Sequence, residues 1–163
     1  MTNILRIIEY NVSMAKIKFT REGLDKMQQE LKDMEDGRES AVTELRIARE
    51  MGDLSENAAY KVARQKLSRT DSRIRYLNKI ISYAEVVQIR NSDRVEIGAH
   101  ITVECDGQKC QYQVVGGHEV DLSKGKISFF SPLGSAFLNK KVNDIVDVKT
   151  PSGIIKYTIL SIS

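Results

Sequence analysis

Two stretches of the chain carry residues at alternating spacings of three and four, most of them apolar. The first runs Leu24, Met27, Leu31, Met34, Arg38, Ala41, Leu45, Ala48; the second runs Tyr60, Ala63, Leu67, Thr70, Ile74, Leu77, Ile81, Ala84. Kept over several heptads, this alternation lays a continuous stripe along each helix and predicts a coiled-coil seam. Gly52 ends the first segment, and only a few residues separate the two, so the helices must turn back on one another as an antiparallel pair. Residues 52–57 then form the tip of a finger. A first helix from Thr20 to Met51 would span ~45 Å at ~1.5 Å per residue.

Thr20 is the expected N-cap of that helix, its hydroxyl accepting a first-turn N–H. Gly37 lies inside the helix at a cost of ~1 kcal/mol against alanine. The second helix is expected to start after Asp53 and to run to Ala84 or Val86. Residues 1–13 fit neither the heptads nor the domain beyond them, and Met14–Phe19 reads as a natural beginning. An extension at 1–13, disordered or not translated, is the expectation.

From Val86 the period changes to alternation, with Asn91-Ser92-Asp93 as the expected linker. Residues 101–105 and 110–115 flank Asp106-Gly107, a strong hairpin signal. Residues 126–130 read as a third strand, and 131–138 as a short helix with Pro132 in its first turn. Residues 144–149 and 154–160 flank Pro151-Ser152-Gly153 as a second hairpin. The expected unit is a small, mostly antiparallel sheet with one helix.

Composition excludes several classes. Apolar residues make up 41% of the chain and charged ones 29%, at a net charge of only +3. That total gives no bulk attraction to nucleic acid or membrane. No apolar run approaches the ~20 residues that cross a bilayer, and residues 1–10 are too polar for a secretory signal, so a cytoplasmic protein is expected. Cys105 and Cys110 supply neither a metal framework nor a disulfide scaffold and read as two reduced thiols.

Asp53 and Glu56 admit two readings. Their spacing is that of a capping box, in which Asp53 caps the second helix and Glu56 reaches back to a backbone N–H. The same spacing puts two carboxylates on one side of a helix start at the most exposed point of the molecule. There they are able to share a hard cation such as Mg²⁺, with a partner supplying the remaining ligands. Charge on the flanks is equally double. Lys61, Arg64, Lys66, Arg69, Arg73, Arg75 and Lys79 face only Asp71 on their own helix, while the first helix is acidic along its second half. This is either an interhelical charge match or a field that steers a phosphate chain to the tip.

The stretch Ala48-Arg49-Glu50-x-Gly52-Asp53-Leu54-Ser55-Glu56-Asn57-Ala58-x-Tyr60, then Ala63-Arg64, closely resembles the tip of the bacterial Gre transcript-cleavage factors. The Asp-Leu-Ser-Glu-Asn form is that of one branch of the family rather than the branch with Arg where Leu54 stands. The resemblance covers residues 14–163 and includes Ile127-Ser128-x-x-Ser131-Pro132-Leu133-Gly134 and Thr150-Pro151-x-Gly153. It implies an α+β protein of two parts. An N-terminal antiparallel coiled-coil hairpin (14–90) enters the secondary channel of bacterial RNA polymerase. A C-terminal FKBP-like β domain (91–163) docks outside. By the same resemblance, Asp53 and Glu56 complete the polymerase active site in backtracked complexes and ligate a second Mg²⁺ shared with it. Ser55 and Asn57 would support the tip, and Arg49, Tyr60 and Arg64 would contact the RNA 3′ end or polymerase. Ser131, Pro132 and Leu133 match the docking segment. Such a protein is a monomeric accessory factor, without nuclease activity of its own.

Three rivals stand beside this reading. A homologue on the same scaffold can occlude the channel and inhibit transcription, although such homologues carry more acids at the tip. The FKBP-like domain by itself would suggest a prolyl isomerase or chaperone, but the chain has no Trp and few aromatics to line a pocket. A plain interaction adaptor would use the acids only as helix caps.

Overall fold

The computed structural model describes residues 16–51, 57–88, 93–151 and 153–163. The expected extension at 1–13 and tip residues 52–56 lie outside this set. Helix α1 (Arg21–Glu50) begins as its sequence dictates: Thr20 is extended, and its side chain accepts from the Gly23 N–H. Helix α2 (Ala58–Ser82) returns along it. Leu24, Ala41, Ala48, Ala63 and Leu77 of the expected seam are buried, while Met27, Leu31, Met34, Leu45, Leu67 and Ile74 are half-buried. Arg38 is the exception: it is exposed and its Nε donates to Asp71 Oδ1 at 2.7 Å. Further ion pairs cross between the helices from Arg73 to Glu30 at 2.6 Å and from Lys66 to Glu44 at 2.7 Å. The charge match therefore exists, though each pair is too exposed to contribute more than ~1 kcal/mol.

The second helix ends earlier than its spacing predicts. Strand β1 (Ile17–Phe19) pairs in parallel with β2 (Ala84–Val86), residues expected to be helical. Phe19 is fully buried and packs with Leu24 and Ile80, with Ile81, Ala84 and Val86 against them. Ending the helix at Tyr83 lets Ile17 N–H donate to Tyr83 O and Val87 N–H to Phe19 O, so both segments satisfy backbone groups beside a buried aromatic ring.

Beyond the hairpin, β3 (His100–Cys105), β4 (Gln108–Val115), β5 (Lys126–Ser128), β6 (Ile145–Thr150) and β7 (Gly153–Ile162) form one sheet in the order β5-β4-β3-β7-β6. Only the β4–β5 pairing is parallel. Asp106 (φ 48°) and Gly107 (φ 76°) both take positive φ, as a two-residue turn matching strand twist requires. Helix α3 (Pro132–Phe137) starts at Ser131, whose side chain accepts from the Gly134 N–H. It lays Phe137 into a core of Val95, Ile101, Val103, Val114, Val146, Val148 and Ile159. Phe137 meets the rings of Tyr112 and Tyr157 with centroids 6.2 and 5.6 Å away, so these aromatics pack the core rather than line an open pocket.

Candidate functional site

The two helices meet at Asn57. Its Oδ1 accepts from the Tyr60 N–H at 3.0 Å, making it the N-cap of α2. Its Nδ2 donates to the Ala48 carbonyl oxygen at 2.9 Å, tying the last turn of α1 to the first turn of α2. Asn57 thus satisfies an orphan donor of α2 and adds a second donor, beside the Met51 N–H at 3.4 Å, to an end-of-helix carbonyl of α1. Helix α2 as described starts at Ala58, with Asn57 as its cap, whereas the spacing placed its start just after Asp53; the capping box expected at Asp53 and Glu56 falls outside the described residues. Asp53, Ser55 and Glu56 themselves lie outside the described residues.

The other tip residues are placed on the helices that Asn57 joins. Arg49, in the last turn of α1, and Arg64, in the second turn of α2, are exposed. Tyr60 is half-buried. Among the described residues, Lys61, Arg64, Arg69, Arg75 and Lys79 form no ion pair, whereas Lys66 and Arg73 are matched across the seam. Unmatched positive charge therefore runs along α2, its first two turns nearest the tip included. No group of three or more His, Cys, Asp or Glu able to hold a metal occurs among the described residues. Nor does any described helix have the length and apolarity to cross a membrane.

At the opposite end of the chain, Ser131 caps α3, Pro132 is exposed at its first position, and Leu133 packs partly against the core. Beside them Phe130 is 77% exposed. Cys105 and Cys110 are both free, and burial pushes the Cys105 thiol above its ordinary value. A cluster that sequence reasoning missed lies where the sheet domain meets the hairpin. His118 stacks on Phe19 at 5.9 Å, and its Nδ1 is 3.1 Å from Tyr76 Oη. Glu119 accepts from the Thr20 N–H at 2.9 Å. Neither residue carries a sequence signal, because their partners on the hairpin are remote along the chain.

With the geometry in hand, the architecture is that of a two-part factor, a helical rod on a β platform. The family model described as "Transcription elongation factor, N-terminal" matches residues 17–86, and "Transcription elongation factor, GreA/GreB, C-term" matches 90–163. The chain belongs to the GreA/GreB family of transcription elongation factors. It is 39% identical over 147 residues to transcription elongation factor GreA 1 of Lactiplantibacillus plantarum, covering 89% of this chain and 94% of that one. It is 42% identical over 154 residues to GreA of Neorickettsia sennetsu, covering 91% and 97%. A crystal structure of GreA factor homolog 1 (Gfh1) of Thermus thermophilus is similar at a TM-score of 0.44 and 26% identity, covering 91% of this chain and 99% of that one.

Proposed function

We propose that this protein enters the secondary channel of bacterial RNA polymerase and stimulates cleavage of the RNA 3′ end in backtracked complexes. The observation that carries the reading is the Asn57 stitch. It joins two helix ends across the six residues 51–56, the segment whose sequence carries Asp53 and Glu56. Two carboxylates suit a hard cation that keeps several waters, so they fit a Mg²⁺ whose other ligands belong to the polymerase. Such an ion, when held, stabilises the oxygens that attack and leave in phosphodiester hydrolysis. Asp53 and Glu56 would supply ligands and hold the attacking water by hydrogen bonds. Lys61, Arg64 and Arg69 would draw the RNA phosphates towards them. The platform would dock through Ser131, Pro132 and Leu133. The protein itself acts as an accessory factor, and its tip alone should not cut RNA.

The test uses a stalled, backtracked polymerase holding RNA labelled at its 5′ end. The protein is expected to speed shortening of that RNA. Asp53→Asn and Glu56→Gln are each expected to slow it about 100-fold, the scale on which one preorganised electrostatic group acts in an enzyme, with binding retained. Binding without shortening in the unaltered protein would replace this reading by channel occlusion.

A further inference from the structure

One carboxylate of the platform reaches into the base of the rod. Glu119 Oε1 accepts from the backbone N–H of Thr20 at 2.9 Å and from that of Gly116 at 3.3 Å. Its Oε2 accepts from the Thr20 hydroxyl, and that same hydroxyl oxygen caps α1 by accepting from the Gly23 N–H at 3.0 Å. Two glycines permit the approach. A Cβ on Gly23 would overlap the Glu119 carboxylate, and a Cβ on Gly116 would overlap the Lys18 carbonyl oxygen. Around this joint, His118 stacks on Phe19 and meets Tyr76, while Lys126 Nζ lies 3.4 Å from Glu22.

We infer that Glu119 is a positioning residue that sets the angle at which the rod leaves the platform. The inference rests on the cleavage reading above. Its physical basis is leverage. Along ~45 Å of helix, a tilt of about 5° at the joint carries the far end about 4 Å, and a misplacement of ~1 Å can slow a reaction ~100-fold. Removing the carboxylate frees the buried Thr20 N–H and hydroxyl to find other partners, and the angle loosens. Docking residues at 131–133 are untouched, so affinity and chemistry should separate.

Three measurements test this. First, Glu119→Ala is expected to lower the cleavage rate at saturating factor at least tenfold, with the half-saturating concentration within about twofold of the original. Second, spin labels at Lys61 and Lys109, in a Cys105→Ser, Cys110→Ser background, report the rod-to-platform distance in the free protein. Glu119→Ala should broaden that distribution. Third, Gly23→Ala reaches the joint from the rod side and should reproduce both effects by displacing Glu119. In the Glu119→Ala background it should cost nothing further, since the clash is gone and alanine is the better helix former. An unchanged distance distribution in both single variants would overturn the inference. So would a Gly23→Ala loss that persists undiminished on top of Glu119→Ala. If the unaltered protein binds polymerase without shortening RNA, the cleavage reading falls, and the distance distribution still decides what Glu119 does.

Discussion

In the hairpin, burial comes one layer at a time: Ala41, Ala48, Ala63 and Leu77 are the buried seam residues beyond the base, separated by half-buried side chains and exposed ion pairs. The sheet domain instead gathers ten buried side chains into one cluster around Phe137. A core shared by a whole sheet fails as a unit, because each side chain is packed by residues from several strands. A seam one residue deep fails locally, because each layer depends mainly on its neighbours along the rod. The rod therefore gains its stiffness from helix geometry and repeated small contacts, and the platform gains its stability from concentration.

Substitutions sharpen this contrast in order of size. Phe137→Ala empties the centre of the platform and is expected to destabilise it by ~3–5 kcal/mol, with a cavity added to the lost burial. Thermal melting followed through the nuclear magnetic resonance signals of the Tyr112 and Tyr157 rings, which pack on Phe137, should show them lost at much lower temperature, while the helical signal falls less. Comparable losses in the two signals would mean that rod and platform unfold together. Asn57→Ala removes a cap and an interhelical bond, a cost of ~1–2 kcal/mol confined to the tip. Hydrogen exchange should accelerate at the Tyr60 amide and remain slow near Leu77. Gly37→Ala, which meets nothing within 4 Å, should stabilise the rod by ~0.5–1 kcal/mol and raise its helical melting point. A loss of stability there would show that the rod uses the glycine for a bend.

The rod was legible in the sequence because its pattern is local: a residue at three-four spacing reports its own face. Thr20, the Asp106-Gly107 turn and the Ser131-Pro132 start of α3 were legible for the same reason. The start of α2 was misplaced because Asp53 and Asn57 are both good caps by type, and it is Asn57 that accepts from the Tyr60 N–H and ties back to Ala48. Strand β2 read as helix because Ile81 and Ala84 continue the heptad spacing. What overrides that spacing is pairing with Ile17–Phe19, more than sixty residues earlier. Glu119 and His118 were invisible on the same ground, since an isolated glutamate or histidine acquires its role only from the chain that folds against it. The family resemblance singled out Asp53 and Glu56, which lie outside the described residues, and it named nothing in the joint.

Strands β1 and β2 flank the hairpin in sequence and pair with each other in space, so the chain enters and leaves the rod at one place. The rod is in that sense an inset. Seven residues added to each helix would lengthen it by ~10 Å and bring the seam back close to register, with the base and platform unchanged. The protein carries a ruler whose zero mark is the β1–β2 pairing. Its reach is written in helical turns, independently of the surface on which the platform sits.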